Sequence, residues 1–265
     1  LNAQGDWAGA RVAIRAVREL PLYGGQMMNE RDAALHEALI LLRQDDLPAT
    51  EQLLRYELPP RAPQEPEKVL YMVAWAELQL RRGQFAAAEA SLTRADKAPG
   101  AMLIYAVAPQ LLLALAYWGQ DKSRKALDAL LAVVRLAEPE DMTRPFLDCG
   151  ARLIPLLAFA ARAGSLSVAQ QRFVTNVLDA LRAAHPDAPP PAMADLDRRA
   201  VAAAISPREQ ELLGVLAEGL TNREIAARLV LEESTIRTHL RNIYRKLGVN
   251  SRVRAIQRAR ELGLL

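Results

Sequence analysis

The sequence predicts an all-α protein, a helical-repeat solenoid followed by a small four-helix unit. Three observations predict it. Apolar residues recur at helical spacing from end to end, and the alternating pattern of strands bounded by turns is nearly absent. Short turns carrying Gly or Asp recur through the first two-thirds: Gly5-Asp6-Trp7, Asp45-Asp46-Leu47, Gly83-Gln84-Phe85, Gly119-Gln120-Asp121 and Gly164-Ser165-Leu166. Their successive spacings of 40, 38, 36 and 45 residues suit units of two helices whose apolar faces only a neighbouring unit can cover. The third observation is composition. The 265 residues are 51% hydrophobic and 25% charged, enough to bury a core without disulfide or metal staples.

Composition also excludes several function classes. Cys149 is the only cysteine, so no internal disulfide or CxxC zinc ribbon can form. His36, His185 and His239 lie far apart, which disfavours a histidine metal site, and no cofactor is expected. There is no long apolar run and no basic segment ahead of an apolar stretch, so the expected location is the cytoplasm, away from membranes. The chain opens at Leu1 within a helical pattern and reads as a piece of something longer.

The clearest repeat runs from Glu67 to Pro99. Val69, Val73, Ala76 and Leu80 form one stripe, widened by Met72 and Trp75, and Gly83 ends the helix. Phe85, Ala88, Leu92 and Ala95 give the next helix its apolar face, and Pro99-Gly100 closes the unit. With small residues at Ala76 and Ala88 and the turn at Gly83, the unit resembles a tetratricopeptide repeat. It departs from that family at Gln79, where a large apolar side chain is usual. The other pairs match more loosely, and the Met142 to His185 pair departs most. Leu111 to Trp118 is nearly all apolar, as a helix packed on both sides would be. Trp7, Trp75 and Trp118 fit core positions better than ligand stacking. His36 fits a helix face, and Cys149 a small buried hydrophobe.

After Leu181-Arg182-Ala183-Ala184 the run His185-Pro186-Asp187-Ala188-Pro189-Pro190-Pro191 cannot continue a helix. Residues 1–185 are therefore expected as a helical-repeat sensor or interaction domain. Residues 186–204 follow as a Pro-rich linker, with a short helix around 195–204. Residues 205–265 form the last domain. Charge is divided unevenly: residues 200–265 hold 11 Lys and Arg against 7 Asp and Glu, while residues 1–199 are close to neutral. A basic C-terminal unit suggests a polyanionic partner.

In that unit Ser206-Pro207-Arg208-Glu209 is a capping box with Pro at the first helical position. Its helix buries Leu212, Leu213, Leu216 and Ala217 and stops at Gly219. Thr221-Asn222-Arg223-Glu224 is a second box, opening a short helix with Ile225, Ala226 and Leu229 inward. The third helix, from about Glu232 to Leu247, buries Ile236, Leu240, Ile243 and Leu247, and Gly248 ends it. Ser251 begins a fourth, carrying Val253, Ile256 and Ala259. A tight turn between the second and third helices makes this a helix-turn-helix arrangement.

The third helix has a second face. Arg237, Arg241 and Arg245 recur every four residues with Lys246 beside them, and Thr238 and Asn242 share the solvent side. Arg suits the acceptor edge of guanine, and short polar groups suit other base edges or phosphates. Ser234 and Thr235 in the first turn can offer hydroxyl and backbone N–H groups to a phosphate. Lys246, at the helix end, suits a phosphate as well. A stripe of arginines alone fits a solvated face equally well; the capping boxes, turn and stripe together do not.

Residues 205–265 resemble a LuxR-type helix-turn-helix DNA-binding domain. The resemblance runs through Ile205–Glu209, Glu218–Ala226 and Thr235–Val249. It implies base readout by Arg237, Thr238 and Arg241, and phosphate contacts from Thr221, Asn222, Thr235 and Lys246. It also implies a fourth helix that mediates dimerisation, with Val253, Ile256 and Ala259 as a seam or, alternatively, as core. Glu232 stands where that family often has a Ser or Thr cap. The helical repeats ahead of it resemble MalT-like, or large ATP-binding LuxR, regulators, in which a signal-transducing ATPase precedes the repeats. No G-x-x-x-x-G-K-[ST] occurs here, so any such module is expected before Leu1.

The leading expectation is a sequence-specific transcriptional regulator bound to double-stranded DNA, a homodimer on its site. Its helical repeats would answer a small-molecule effector or a regulatory protein. The alternative is a helical-repeat interaction scaffold that its C-terminal domain tethers to DNA. No Ser/His/Asp or Cys/His set has catalytic context, so no enzyme activity is expected.

Overall fold

The computed structural model describes residues 6–19, 30–57, 65–93 and 103–265. Fifteen α-helices and no strand occur among the described residues. The first seven are α1 Trp7–Glu19, α2 Glu30–Arg43, α3 Leu47–Gln52, α4 Glu65–Arg81, α5 Phe85–Thr93, α6 Leu103–Gly119 and α7 Ser123–Ala137. Then come α8 Arg144–Asp148, α9 Ile154–Arg162, α10 Val168–Ala184 and α11 Met193–Ala204. The last four are α12 Pro207–Ala217, α13 Asn222–Leu229, α14 Glu233–Leu247 and α15 Arg252–Glu261. The expected helical start at Leu1, the Gly5 turn, Ala95, the Pro99-Gly100 break and the Trp7 side chain lie outside the described residues.

By contact the chain divides into two compact units, Leu1–Gln120 with Ala129–Gly150, and Asp121–Asp128 with Ala151–Leu265. Along the described chain, the helix pairs fall where the turns predicted. Asp45, Gly83 and Asp121 take left-handed backbone at φ 59, 70 and 58, closing α2, α4 and α6. Asp46 caps α3 through a hydrogen bond from Ala49 N, and Pro48 opens the helix. The third turn differs from expectation in one respect. Gly119 ends α6 in close approach to Phe85 of α5, where any Cβ would lie 2.3 Å from the ring. The left-handed residue of that turn is Asp121 instead.

Packing explains the departure at Gln79. Its side-chain carbonyl accepts a hydrogen bond from Ser91 Oγ at 2.9 Å, so a polar pair joins α4 to α5 where an apolar contact was expected. Ala76 and Ala88 are completely buried, which lets the two helices approach closely. Trp75 stacks parallel to Tyr71, with ring centroids 6.5 Å apart, and lies under the Arg55 guanidinium at 5.7 Å. Val69 and Val73, expected in the core stripe, are only half-buried. In α6, Leu111, Leu112, Ala114, Leu115 and Ala116 are buried, as a helix packed on two sides requires.

The Met142 to His185 pair departs from the repeat because its first helix is broken. Its path is α8, a 3-10 turn at Gly150–Leu153, and α9. Pro145 and Pro155 sit in the first turns of α8 and α9, where a missing N–H costs nothing. A capping box at Ser167 and Gln170, unread in the sequence, starts α10.

In the second unit, α11 extends two residues ahead of the short helix expected around 195–204, and ion pairs anchor it. Arg199 Nη2 lies 2.7 Å and Arg198 Nη2 3.2 Å from Asp121 Oδ1. Both arginines also bind Asp195, and Arg162 pairs with Asp197 at 3.0 Å. Burial would raise the Asp195 pKa, but hydrogen bonds from Arg198 and Arg199 hold it below its ordinary value. Leu196 and Ala203 are buried. By contact, then, the chain divides at Gln120 and Gly150, ahead of the Pro-rich segment, and α9 to α15 fall in one unit.

Candidate nucleic-acid interface

Helices α12 to α15 enclose one core of Leu212, Leu213, Leu216, Ile225, Ile236, Leu240, Ile243, Leu247, Ala255, Ala259 and Leu262, with Ile205 leading into it. Both predicted capping boxes form. Ser206 N donates to Glu209 Oε2 at 2.8 Å while Ser206 Oγ accepts from Glu209 N at 3.3 Å. Thr221 and Glu224 repeat the exchange at 2.7 and 3.3 Å. In the first helix Val215 is buried and Ala217 only half-buried, which shifts the apolar face slightly from the expected one.

The turn between α13 and α14 centres on Val230, which takes left-handed backbone at φ 53 and is 88% exposed. It closes α13 through bonds from its N–H to the Ala226 and Ala227 carbonyls. Arg252 fixes the preceding corner, donating from Nη2 to the Leu216 and Leu220 carbonyls at 2.7 Å each. Sequence periodicity did not single out Arg252, because a side chain that reaches backbone carbonyls across the fold leaves no local pattern. Its place at the start of a helix, facing a Gly-ended turn, was the only hint.

Helix α14 carries the basic face. Ile236, Leu240, Ile243 and Leu247 point into the core, as predicted, and Gly248 ends the helix at φ 66. Arg237, Thr238, Arg241, Arg245, Ser234 and Thr221 are exposed, while Asn222, Thr235 and Asn242 are half-buried. Arg237 Nη2 pairs with Glu233 Oε1 one turn back at 2.6 Å, and Thr238 Oγ1 donates to the Ser234 carbonyl at 3.1 Å. Glu232 occupies the N-cap without a side-chain capping bond. The departure from the Ser or Thr usual at that position therefore leaves the helix start without a side-chain cap. Its carboxylate instead accepts from Ser234 Oγ at 3.2 Å.

Two residues sit differently from what the sequence suggested. Lys246 Nζ is 2.6 and 2.8 Å from the two Glu209 oxygens, so its charge is spent on the buried N-terminal box of α12 rather than offered outward. Burial would raise the Glu209 pKa, but the Lys246 ammonium and the Ser206 N–H and hydroxyl hold it below its usual value. On α15, Ala259 is fully buried with Ala255, and Ile256 is half-buried against the same core. Only Val253, at 75% exposure, faces water. Of the three residues expected as a seam or as core, Ala259 is core, because the helix turns it inward, and Val253 with the outer edge of Ile256 stays accessible.

No group of three or more potential metal ligands occurs among the described residues, and none of their helices is long and apolar enough to cross a membrane.

Residues 2–163 match the family described as the MalT-like TPR region. Residues 203–259 match bacterial regulatory proteins of the luxR family. The chain is 28% identical over 170 residues to the HTH-type transcriptional regulator MalT of Klebsiella pneumoniae subsp. pneumoniae. That alignment covers 57% of this chain and 18% of the relative, so the chain spans less than a fifth of that protein. No solved structure matches.

Proposed function

The chain belongs to the MalT-like TPR family and carries a luxR-family DNA-binding domain, and we propose that α14 reads DNA sequence for a regulator whose helical repeats answer an effector. The luxR-family match makes it a DNA-binding regulator. The carrying observation for readout is the division of α14 into a buried apolar face and an exposed face of Arg237, Thr238 and Arg241, on a helix opened by a tight turn. Arg237 and Arg241 sit one turn apart in its N-terminal half, the part that reaches base edges in helix-turn-helix docking. Thr221, Asn222, Ser234, Thr235, Asn242 and Arg245 are assigned to phosphates and flanking contacts. Lys246 is a positioning residue whose phosphate contact would first have to break its pair with Glu209.

Residues 1–185 act as the sensing domain, 186–204 as the connection, and 205–265 as the DNA-binding head. The regulator works in the cytoplasm and binds paired half-sites as a homodimer through Val253 and the edge of Ile256. Selection of bound sequences from a random duplex pool, followed by affinity measurement for Arg237→Ala and Arg241→Ala, tests readout. Relaxed preference at single base positions supports it; equal loss on specific and random DNA rejects it. Val253→Glu tests the dimer, with loss of paired-site binding expected from a chain that stays folded.

A further inference from the structure

The first unit holds a cavity of about 310 Å³ between α2, α4, α6 and α8, at the small end of the range for small-molecule sites. Its wall is aliphatic: Leu39, Val69, Leu70, Val73, Pro109 and Leu112. Val69 and Val73 belong to the expected core stripe of α4 yet remain half-buried, and both line this space. One edge is charged. Arg43 and Arg144 both bind Asp148, Arg144 Nε at 2.9 Å from Oδ1 and Arg43 Nη2 at 3.6 Å from Oδ2, with Arg43 Nη1 also donating to the Asp148 carbonyl. Two guanidinium groups therefore share one carboxylate beside an apolar space, and each has more N–H donors than that carboxylate can take. Glu77, on α4, is held by Arg81 at 3.0 Å, and Arg81 also pairs with Asp45 at 3.0 Å.

We infer that this cavity binds a small amphiphilic monocarboxylate, its aliphatic body against Val69, Val73 and Leu112 and its carboxylate on Arg43 and Arg144. Arginine suits the role because its planar fork binds a carboxylate through two parallel hydrogen bonds. Among the described lining residues there is no Phe, Tyr or Trp, so no face is offered for stacking a sugar ring or a nucleobase. The polar side chains of the lining are His36, Arg43, Glu77, Arg144 and Asp148, so the aliphatic part of the wall has nothing to pair with a ligand's hydroxyls. The inference deepens the reading of the repeats as a sensing domain, and its role as an effector site rests on that reading.

The test uses the full chain with octanoate as the probe, octanol as the same body without the charge, and acetate as the charge without the body. Titration calorimetry should show saturable octanoate binding, a thermal midpoint that climbs with octanoate concentration, and no acetate binding. Octanol should bind at least about tenfold more weakly, as loss of a charged hydrogen-bonded pair implies. Val73→Phe, which fills the cavity, and Arg144→Gln, which alters an exposed side chain, should each weaken octanoate by a similar factor while the helical circular-dichroism signal is retained. Equal affinity for octanol and octanoate, binding indifferent to both substitutions, or no octanoate binding would overturn the site. DNA affinity measured with and without octanoate separates the two ideas. Octanoate that binds without changing DNA affinity keeps the site and removes its sensing role, whereas a DNA response to another effector with no octanoate binding does the reverse.

Discussion

Lys246 Nζ lies 2.6 Å from Glu209 Oε2, tying the C-terminal turn of α14 to the N-terminal capping box of α12. The Glu209 side chain is only 8% exposed, while Lys246 is 29% exposed. A basic residue at the end of a helix of this kind would ordinarily be given to a phosphate. Here it completes a charge-assisted network that also includes Ser206.

Lys246→Ala should therefore destabilise the domain by about 1–3 kcal/mol, the cost of leaving a largely buried carboxylate short of one partner. Urea unfolding followed by circular dichroism measures it. An unchanged midpoint, with DNA binding weakened alike on all sequences and a salt slope reduced by about one charge, would return Lys246 to the phosphate backbone.

Acid should act through the same pair. Glu209 is held below its ordinary value of 4.5 in the folded state, so the unfolded chain takes up its proton first as pH falls. Its stabilising contribution is complete above the unfolded value and is lost as pH drops through the lower folded one. Glu209→Gln should flatten part of the acid decline in the thermal midpoint while lowering the midpoint at neutral pH. A wild-type and variant difference that stays constant from neutral pH to the acid limb would contradict the assignment.

Arg237 and Arg241 should each cost about 1–3 kcal/mol on the best binding sequence when changed to Ala. Arg237 must first leave Glu233, 2.6 Å away, so Glu233→Gln should accelerate association or tighten binding slightly. Fluorescence anisotropy at several salt concentrations distinguishes loss of readout from loss of charge, since only the latter changes the slope.

Val230 is a β-branched residue in left-handed backbone, an arrangement that costs roughly 1–2 kcal/mol and that Asn tolerates. Its 88% exposure means that little packing is lost on replacement. Val230→Asn should raise the stability of the domain by about 1 kcal/mol, seen as a higher urea midpoint. A lower midpoint would mean that the packing Val230 does make outweighs its backbone strain, and would reject the strain assignment.

The Pro-rich segment should be cut by proteases within residues 186–192, while Arg198 and Arg199 resist trypsin because Asp121 and Asp195 hold them in α11. Asp121→Asn should speed cleavage at both arginines, read by mass spectrometry of timed digests. Cleavage at Arg198 and Arg199 as fast in the wild type as in the variant would show that these ion pairs do not hold the helix.

Local chemistry made much of this molecule legible from sequence. Capping boxes at Ser206 and Thr221, the ending of α14 at Gly248 and the inward row Ile236, Leu240, Ile243 and Leu247 depend on residues within one or two turns of each other. So do the turns at Asp45 and Gly83. Periodicity also separated the two faces of α14, because a helix that buries one stripe must expose the other. Tertiary structure decided what depends on a partner distant in sequence. Lys246 meets Glu209 from 37 residues away, and Asp121 meets Arg198 from 77. Ala259 turns inward because α15 packs against α12 and α14, which the pattern Val253, Ile256, Ala259 could not distinguish from an outward seam. Gly119 is required by the Phe85 ring of another helix rather than by its own turn. Likewise, the space beside Val69 and Val73 exists only because four helices meet around it, since burial is a property of what surrounds a side chain and not of the side chain itself.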